Sequence, residues 1–344
     1  MKHLNEIIVS LHKKNGMETV LSGIRPTGNL HLGNYFGAMK NFVRMQYEHQ
    51  CFFFIADYHS LTTHPNPQNL QYNVKQVLIE YLASGIDPET ATIYAQSDLP
   101  ETVELYLFLN MNAYLGELER CTTFKDKVRQ QPNNVNAGLL TYPTLMAADI
   151  LIHNADYVPV GKDQEAHLEL TRIFASRFNR LYHVDYFKEP KAYNFDEDLV
   201  KIPGLDGSTK MGKSEGNAIY LKDSPQVIRK KIMRAKTDEG PMQENQQQSQ
   251  EIMNLFTLMK YVSLPDTVAH FEQAYNDCSI RYGDMKKQLA EDVITFCEPI
   301  RERIIELSEN DAYLEKVMRA GAEKARVSGA KTISEVRQII GFKP

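Results

Sequence analysis

Three stretches of this chain hold side chains whose types and spacing could do chemistry. The first is LSGIRPTGNLHLGNYFGAMKNF, residues 21–42, where Pro26, Thr27, Gly28, Asn29 and Gly33 crowd around His31 between two apolar patterns. A strand that leaves through a glycine-rich turn into a helix gathers free backbone N–H groups and the positive end of a helix dipole, which suits an anion. His31 would donate to a phosphate oxygen, and Gly33 and Gly37 would admit a flat group such as a nucleobase. The second stretch is GLDGSTKMGKSEGNAIYL, residues 204–221, with Lys210 and Lys213 among four glycines. Two lysines in a mobile loop can follow a polyphosphate through a reaction and neutralise charge as it shifts. The third is Asp149, a carboxylate inside the apolar run LMAADIL, where it needs a partner. Taken singly, the first stretch reads equally as a helix cap with a surface histidine, and the second as a solvated basic loop. A glycine turn and a lysine pair in this order, about 180 residues apart, point instead to a nucleotide.

The elements that must position these groups are legible in the apolar pattern. Thr19–Ile24 reads as a strand and 33–49 as a helix; Cys51–Ala56 is continuously apolar, as a strand buried on both faces would be. A helix over 68–84, stopped at Gly85, leads to a strand at Ala91–Ala95 and a helix over 101–115. A helix over 143–153, a strand at Tyr157–Val160 and a helix over 164–180 follow. Strands alternating with helices predict a parallel sheet covered on both faces, an α/β body. In such a sheet the glycine turn lies at the carboxyl ends of the strands, where ligands bind. From residue 225 onward the periodicity is only helical, at 225–236, 250–262, 283–307, 311–326 and 332–340, interrupted by the polar stretch 241–251. Three segments are expected: an N-terminal extension 1–16, a catalytic body 17–224 and a helical part 225–344.

Whole-chain properties bound the function. With 344 residues, 42% hydrophobic and 24% charged, the chain can bury a sizeable core. No apolar run reaches the roughly 18 residues of a transmembrane helix, and residues 7–9 are too short for a secretory core. Cys51, Cys121, Cys278 and Cys297 form no C-x-x-C pair and are expected to be reduced, mostly buried side chains of a cytoplasmic protein. A net charge of −5 argues against indiscriminate nucleic-acid binding but leaves room for a local basic patch.

HLGN (31–34) resembles the first signature of class I aminoacyl-tRNA synthetases, and KMGKS (210–214) resembles the second. SGIRPTGNLHLGNY, GELERCTTFKDK, GLLTYPTLMAADIL and VPVGKDQEAHLELTRIFASRFN are similar to the tryptophan-specific bacterial branch, with tyrosine-specific enzymes the nearest relatives. The resemblance implies a Rossmann-like catalytic domain with a C-terminal all-helical domain. It also implies a two-step reaction: a tryptophan carboxylate attacks the α-phosphate of ATP, and the adenylate is then passed to the 3′ end of tRNA(Trp). A carboxylate is already a nucleophile at pH 7, so the first step needs positioning and charge stabilisation rather than a general base. No H-E-x-x-H or paired-cysteine site is present, so Mg²⁺ is expected to arrive with the ATP phosphates.

By the same resemblance, Arg25, Pro26, Thr27, His31, Gly33, Asn34, Gly161, Lys162, Asp163 and Ile202 are expected to line the ATP site. Lys210, Met211, Gly212, Lys213 and Ser214 would form the mobile loop, with Lys210, Lys213 and His31 the catalytic groups and Lys127 a further phosphate-side cation. Asp149 would accept the indole N–H, with Met146, Ile150, Val158 and Val160 as apolar walls. Tyr142, Gln164 and His59 would face the amino and carboxylate groups. Three departures stand out: Gly212 replaces a usual serine, Lys162 a common glutamate, and residues 1–16 precede the usual start of the family fold. Residues 316–344 carry seven basic side chains (Lys316, Arg319, Lys324, Arg326, Lys331, Arg337, Lys343) against Glu323 and Glu335, which suits a tRNA phosphate backbone. The resemblance further implies a homodimer. A tyrosine enzyme on the same scaffold, or a regulatory paralogue that binds tRNA or nucleotide without aminoacylation, stays open at this point.

Overall fold

Among the described residues, five short strands, all parallel, are ordered β3-β2-β1-β4-β5. They are β1 (Thr19–Ile24), β2 (Gln50–Ile55), β3 (Thr92–Ala95), β4 (Tyr157–Val158) and β5 (Lys191–Ala192). This computed structural model describes residues 16–161, 164–193, 201–213 and 215–343. Cys51 to Ile55 are buried on both faces of β2, as their unbroken apolar run requires. Thr19 to Ile24 pair in register with Gln50 to Ile55, and Val20 pairs on its other side with Tyr157. The strand order therefore reverses between β1 and β4. In doubly wound sheets that is where the crevice for a ligand opens.

Helices cover both faces. Asn66 caps the Pro67–Ala83 helix by accepting from the Gln68 and Asn69 N–H groups at 3.0 and 3.3 Å, and Pro67 opens its first turn. One core cluster joins Phe53, Val77, Ile79 and Met39 on one side of the sheet to Met285, Val293 and Leu314 of the C-terminal helices. The other packs Leu21, Phe52 and Phe54 against Ala147 to Ile152, Phe174 and Phe178. Cys51, Cys121 and Cys297 are buried and Cys278 is exposed, with no disulfide among the described residues. Among the described residues no helix is long and apolar enough to cross a membrane.

Element boundaries differ from the sequence reading where a cap or a packing contact overrides the apolar pattern. The helix expected from residue 143 runs Ala137–Ile152, because Asn136 caps it by accepting from Leu139 N–H at 3.2 Å, and Pro143 lies inside it. The one expected over 101–115 stops at Met111, and two short helices, Leu115–Arg120 and Thr122–Gln130, follow. Pro265–Asn276 is a helix the pattern did not single out. The pieces expected at 311–326 and 332–340 are one helix, Asp311–Ile340, running unbroken through Ser328 and Gly329. It lies against the β3 edge so closely that a Cβ at Gly321 would sit 1.6 Å from the Ile93 carbonyl oxygen, an approach only glycine permits. His153, stacked on Phe52 at 4.0 Å, ties the same helix to the body through Tyr94 Oη (2.9 Å) and Ser328 Oγ (3.0 Å). Burial pushes His153 down to about 3, so it is a neutral hydrogen-bonding link at physiological pH.

Candidate active site

The glycine turn leaves β1 at the crevice. His31 is the N-cap of the short Leu32–Asn34 helix: its Nδ1 accepts from the Asn34 N–H at 3.3 Å, while Asn34 Oδ1 accepts from the His31 N–H at 3.1 Å. With Nδ1 occupied as an acceptor, the ring proton sits on Nε2, which is left as the donor. Burial, and then the charges of Lys213 and Lys210, hold His31 at about 4. At neutral pH it therefore offers an uncharged N–H. Gly33 is packed tightly, since a Cβ there would come within 2.9 Å of the His31 ring and 3.5 Å of Met211 Cβ.

The lysine loop is stitched to this turn. His31 and Tyr220 form an antiparallel bridge, with Leu32 N–H donating to Ile219 O at 2.9 Å and Leu221 N–H to Leu30 O at 3.1 Å. Lys213 Nζ donates to Gly28 O at 2.8 Å and reaches Thr27 Oγ1 at 3.5 Å. Met211 is buried and its N–H donates to the Ile202 carbonyl at 2.9 Å, so the Ile202 backbone expected to face adenine already holds the loop. Gly212 N–H donates to Asn217 Oδ1 at 2.9 Å. Lys210 is exposed at the loop's outer edge. Pro26 is buried and Thr27 exposed in the turn, and Gly161 O accepts from Gln164 N–H at 2.8 Å after β4. Lys162, Asp163 and Ser214 lie outside the described residues.

Beside the turn, across β1, lies a cavity of about 220 Å³. Its lining includes all eight side chains expected around an amino acid: Asp149, Tyr142, Met146, Ile150, Gln164, His59, Val158 and Val160. Asp149 is buried; its Oδ2 lies 2.9 Å from His59 Nε2, and Gln96 Nε2 donates to Oδ1 at 2.8 Å and to Oδ2 at 3.0 Å. Burial pushes this carboxyl up, while the His59 and Gln96 contacts pull it back. His59, expected toward the amino or carboxylate end, instead makes its hydrogen bond to Asp149. Arg25 lines the same cavity with Nε and Nη2 buried and without a hydrogen-bond partner among the described residues. Lys127 Nζ stands 4.8 Å from the Tyr142 ring centroid, and burial and the Arg25 charge depress its pKa. A buried guanidinium in the cavity wall, with a second cation against the ring of Tyr142, suits an anion.

A family model for class I tRNA synthetases (W and Y) matches residues 13–298. The chain is 63% identical to a tryptophan–tRNA ligase from Porphyromonas gingivalis, over 95% of this chain and all of that one. A tryptophan–tRNA ligase from Clostridium tetani is 41% identical, over 96% of this chain and 98% of its own length. The crystal structure of tryptophanyl-tRNA synthetase from Campylobacter jejuni complexed with ADP and tryptophan superimposes with a TM-score of 0.85 at 34% identity, covering 94% of this chain and 100% of that one. This chain belongs to the tryptophanyl-tRNA synthetases.

Within this synthetase the described site holds polar groups that the sequence reading passed over. Gln96 is buried directly after β3. The signal was its place, since the residue after a parallel strand's carboxyl end faces the crevice. His167 hydrogen-bonds Tyr142 Oη, Thr123 Oγ1 and, through Nδ1 at 2.9 Å, Gln164 Oε1. Its cue was the three-residue spacing from Gln164, which stacks the two on one helical face. Glu80, fully buried, accepts from the Leu30 N–H with both carboxylate oxygens at 3.0 Å. Nothing in the local pattern of the Pro67–Ala83 helix marks it.

Proposed function

We infer that this chain is a tryptophan–tRNA ligase in which the cavity beside β1 holds tryptophan and the signature turn and lysine loop hold ATP. The carrying observation is one juxtaposition: the cavity with Asp149 in its wall lies next to the turn where His31 and Lys213 meet, with Lys210 on the same loop at its outer edge. The indole would fill the cavity, its N–H on Asp149, with the carboxylate directed at Arg25 and the α-phosphate. Lys210 and Lys213 would follow the departing pyrophosphate, the neutral His31 N–H would meet a phosphate oxygen, and Arg25, Pro26, Thr27, Gly33, Asn34, Gly161, Met211 and Gly212 would frame the nucleotide. Catalysis would then rest on alignment and fixed charges. Mg²⁺ would enter with the phosphates, whose oxygens it prefers.

An ATP–pyrophosphate exchange assay run over all twenty amino acids tests this reading. Exchange that depends on tryptophan is expected; exchange driven by tyrosine would reassign the pocket, and none with any amino acid would leave a regulatory paralogue. Further parts of the reading concern partners and place. Val103, Leu107 and Met111 form one exposed apolar face, continued by Tyr114 and Leu115, and this supports a homodimer. The tryptophan–tRNA ligases this chain is similar to are translation enzymes, which supports a cytoplasmic setting.

The helical part 225–344 would meet the anticodon arm, with a narrower basic face than the seven residues suggest. Lys324 Nζ donates to Pro88 O at 3.1 Å, Arg326 Nε to Asp98 O at 2.7 Å, and Arg337 pairs with Glu104 at 2.5 Å, all on the body. Lys316, Arg319 and Lys331 are exposed. Reversing Lys316 and Arg319 to glutamate is expected to weaken aminoacylation and reduce its salt slope by about 1 per lost phosphate contact, leaving exchange unchanged. Reversing Lys324 and Arg326 should instead impair both assays, because the long helix loses its hold on the body. Equal behaviour of the two pairs would remove the RNA-facing assignment.

A further inference from the structure

Among the described residues two carboxylates are buried, Asp149 and Glu80, and only the first faces the amino-acid cavity. Glu80 sits on the Pro67–Ala83 helix among Val77, Leu78, Ile79, Tyr81 and Leu82, all buried. Satisfying one backbone N–H in such surroundings needs only a neutral acceptor, so the choice of an acid incurs a desolvation cost without a local return. The return lies across the helix. Glu80 feels the charges of Lys213 and Lys222, and Lys213 in turn feels Glu80. Its backbone partner Leu30 precedes His31, and Leu30 O accepts from Leu221 N–H. The glycine turn is thus hydrogen-bonded to this carboxylate, while the charges of the lysine loop and of the segment after it act on it.

We propose that Glu80 is a positioning residue for the nucleotide: it fixes the signature turn through the Leu30 N–H and holds Lys213 in its seat against Gly28, so that ATP binding and the negative charge on Glu80 oppose each other. This rests on the reading that turn and loop bind ATP. Lifting Lys213 toward a polyphosphate removes a positive charge from Glu80's surroundings and brings negative charge nearer. Both changes favour a proton on Glu80. Burial already pushes that carboxyl up to about 7, the Leu30 N–H and the two lysines pulling it back. The proton is thus available near neutrality, where His31 beside the turn is already neutral and Lys213 and Arg25 stay charged. Coupling is reciprocal: if ATP promotes protonation of Glu80, protonation tightens ATP.

The test compares the parent with Glu80→Gln, which keeps an acceptor for Leu30 N–H and loses the charge. KM for ATP in pyrophosphate exchange is measured from pH 6 to 8, with KM for tryptophan as the internal control. ATP's own terminal phosphate titrates in this window, so the difference between the two proteins is the readout. At pH 8 the variant's KM for ATP is expected roughly two- to fivefold below the parent's, the size of a partly screened ion pair. The two profiles should converge at pH 6, and KM for tryptophan should stay the same. Superimposable ATP profiles, or equal shifts for both substrates, would overturn the proposal. Absence of exchange in the parent would overturn the ATP reading with it. Should Glu80→Gln not fold, the parent carries the test. The ¹³C resonance of the Glu80 carboxyl must titrate near neutrality, and a non-hydrolysable ATP analogue must move its midpoint upward; an unmoved midpoint overturns the coupling.

Discussion

Alanine at Lys210 or at Lys213 is expected to cut kcat for tryptophan-dependent pyrophosphate exchange roughly 10²–10³-fold, about 3–4 kcal/mol, with KM for tryptophan nearly unchanged. The reason is where charge develops. As the carboxylate attacks, negative charge accumulates on the departing pyrophosphate, and a cation that meets it only in the transition state lowers the barrier without tightening the ground state. Lys213 is held by Gly28 O and Thr27 Oγ1, so meeting a phosphate requires it to leave those contacts. Lys210 is exposed and reaches the site only if the loop moves inward. The two substitutions should therefore differ in kind. Lys213→Ala should also lower KM for ATP slightly or leave it alone, since it removes a contact the nucleotide must break, whereas Lys210→Ala should act on kcat alone. Lys213→Arg retains charge but replaces a compact ammonium with a broad planar fork, and should recover only part of the loss. Single-turnover measurement of adenylate formation separates the chemical step from product release. A rate within a few-fold of the parent for either alanine variant would remove that lysine from the mechanism.

The sequence made the site's anchor points legible because they are local. The glycine turn after β1, the lysine loop and the carboxylate in LMAADIL are each contained in a short stretch whose composition conflicts with plain packing. The parallel sheet was legible for a similar reason, since the apolar run of β2 suits a strand covered on both faces and helical patterns flank it. What stayed hidden is what connects distant stretches. Gln96 and His59 meet Asp149 across sequence separations of 53 and 90 residues, and Glu80 meets Leu30 across 50. A buried Glu among helix-forming apolar neighbours looks the same as a surface Glu whose helix has been misphased by one residue. Hidden for the opposite reason was the occupation of Lys324 and Arg326. Their basic character is plain in the sequence, yet both end on backbone carbonyls of the body, an arrangement composition cannot foretell. The long helix Asp311–Ile340 crosses Ser328 and Gly329, which are poor helix formers, because packing on the body overrides that preference.

Removing the Asp149 side chain should abolish most of the discrimination between tryptophan and its aromatic competitors. An indole presents one N–H donor and no acceptor, so an ionised acceptor is its complement. A carboxylate has about four lone-pair positions, and the contacts from Gln96 and His59 leave room for one more donor from the cavity. Those same contacts fix the direction of the remaining acceptor, since neither oxygen can turn without losing one of them. Phenylalanine in this pocket would leave a buried charge short of a donor. Sites built on a hydrogen bond reject analogues lacking it by about 10⁴–10⁵, a scale taken from tyrosine-specific synthetases. Asp149→Ala should therefore bring kcat/KM for tryptophan down toward the values for phenylalanine and tyrosine. Asp149→Asn retains the shape and one acceptor oxygen, but it sets an NH₂ against the Gln96 amide or the His59 ring, and should weaken selection by an intermediate roughly 10–10²-fold, the cost of one poorly satisfied polar group. The direction of the pH effect follows from burial. The Asp149 carboxyl is held above its ordinary value, so it loses its charge before an exposed aspartate would as pH falls. Selectivity should accordingly decline first on the acid side in the parent and show no such decline in Asp149→Asn. The measurement is kcat/KM for the three amino acids in pyrophosphate exchange, across pH, in the parent and both variants. An alanine variant that keeps the parent's preference would mean that cavity shape, set by Met146, Ile150, Val158 and Val160, selects the indole and that Asp149 serves only to hold Gln96 and His59.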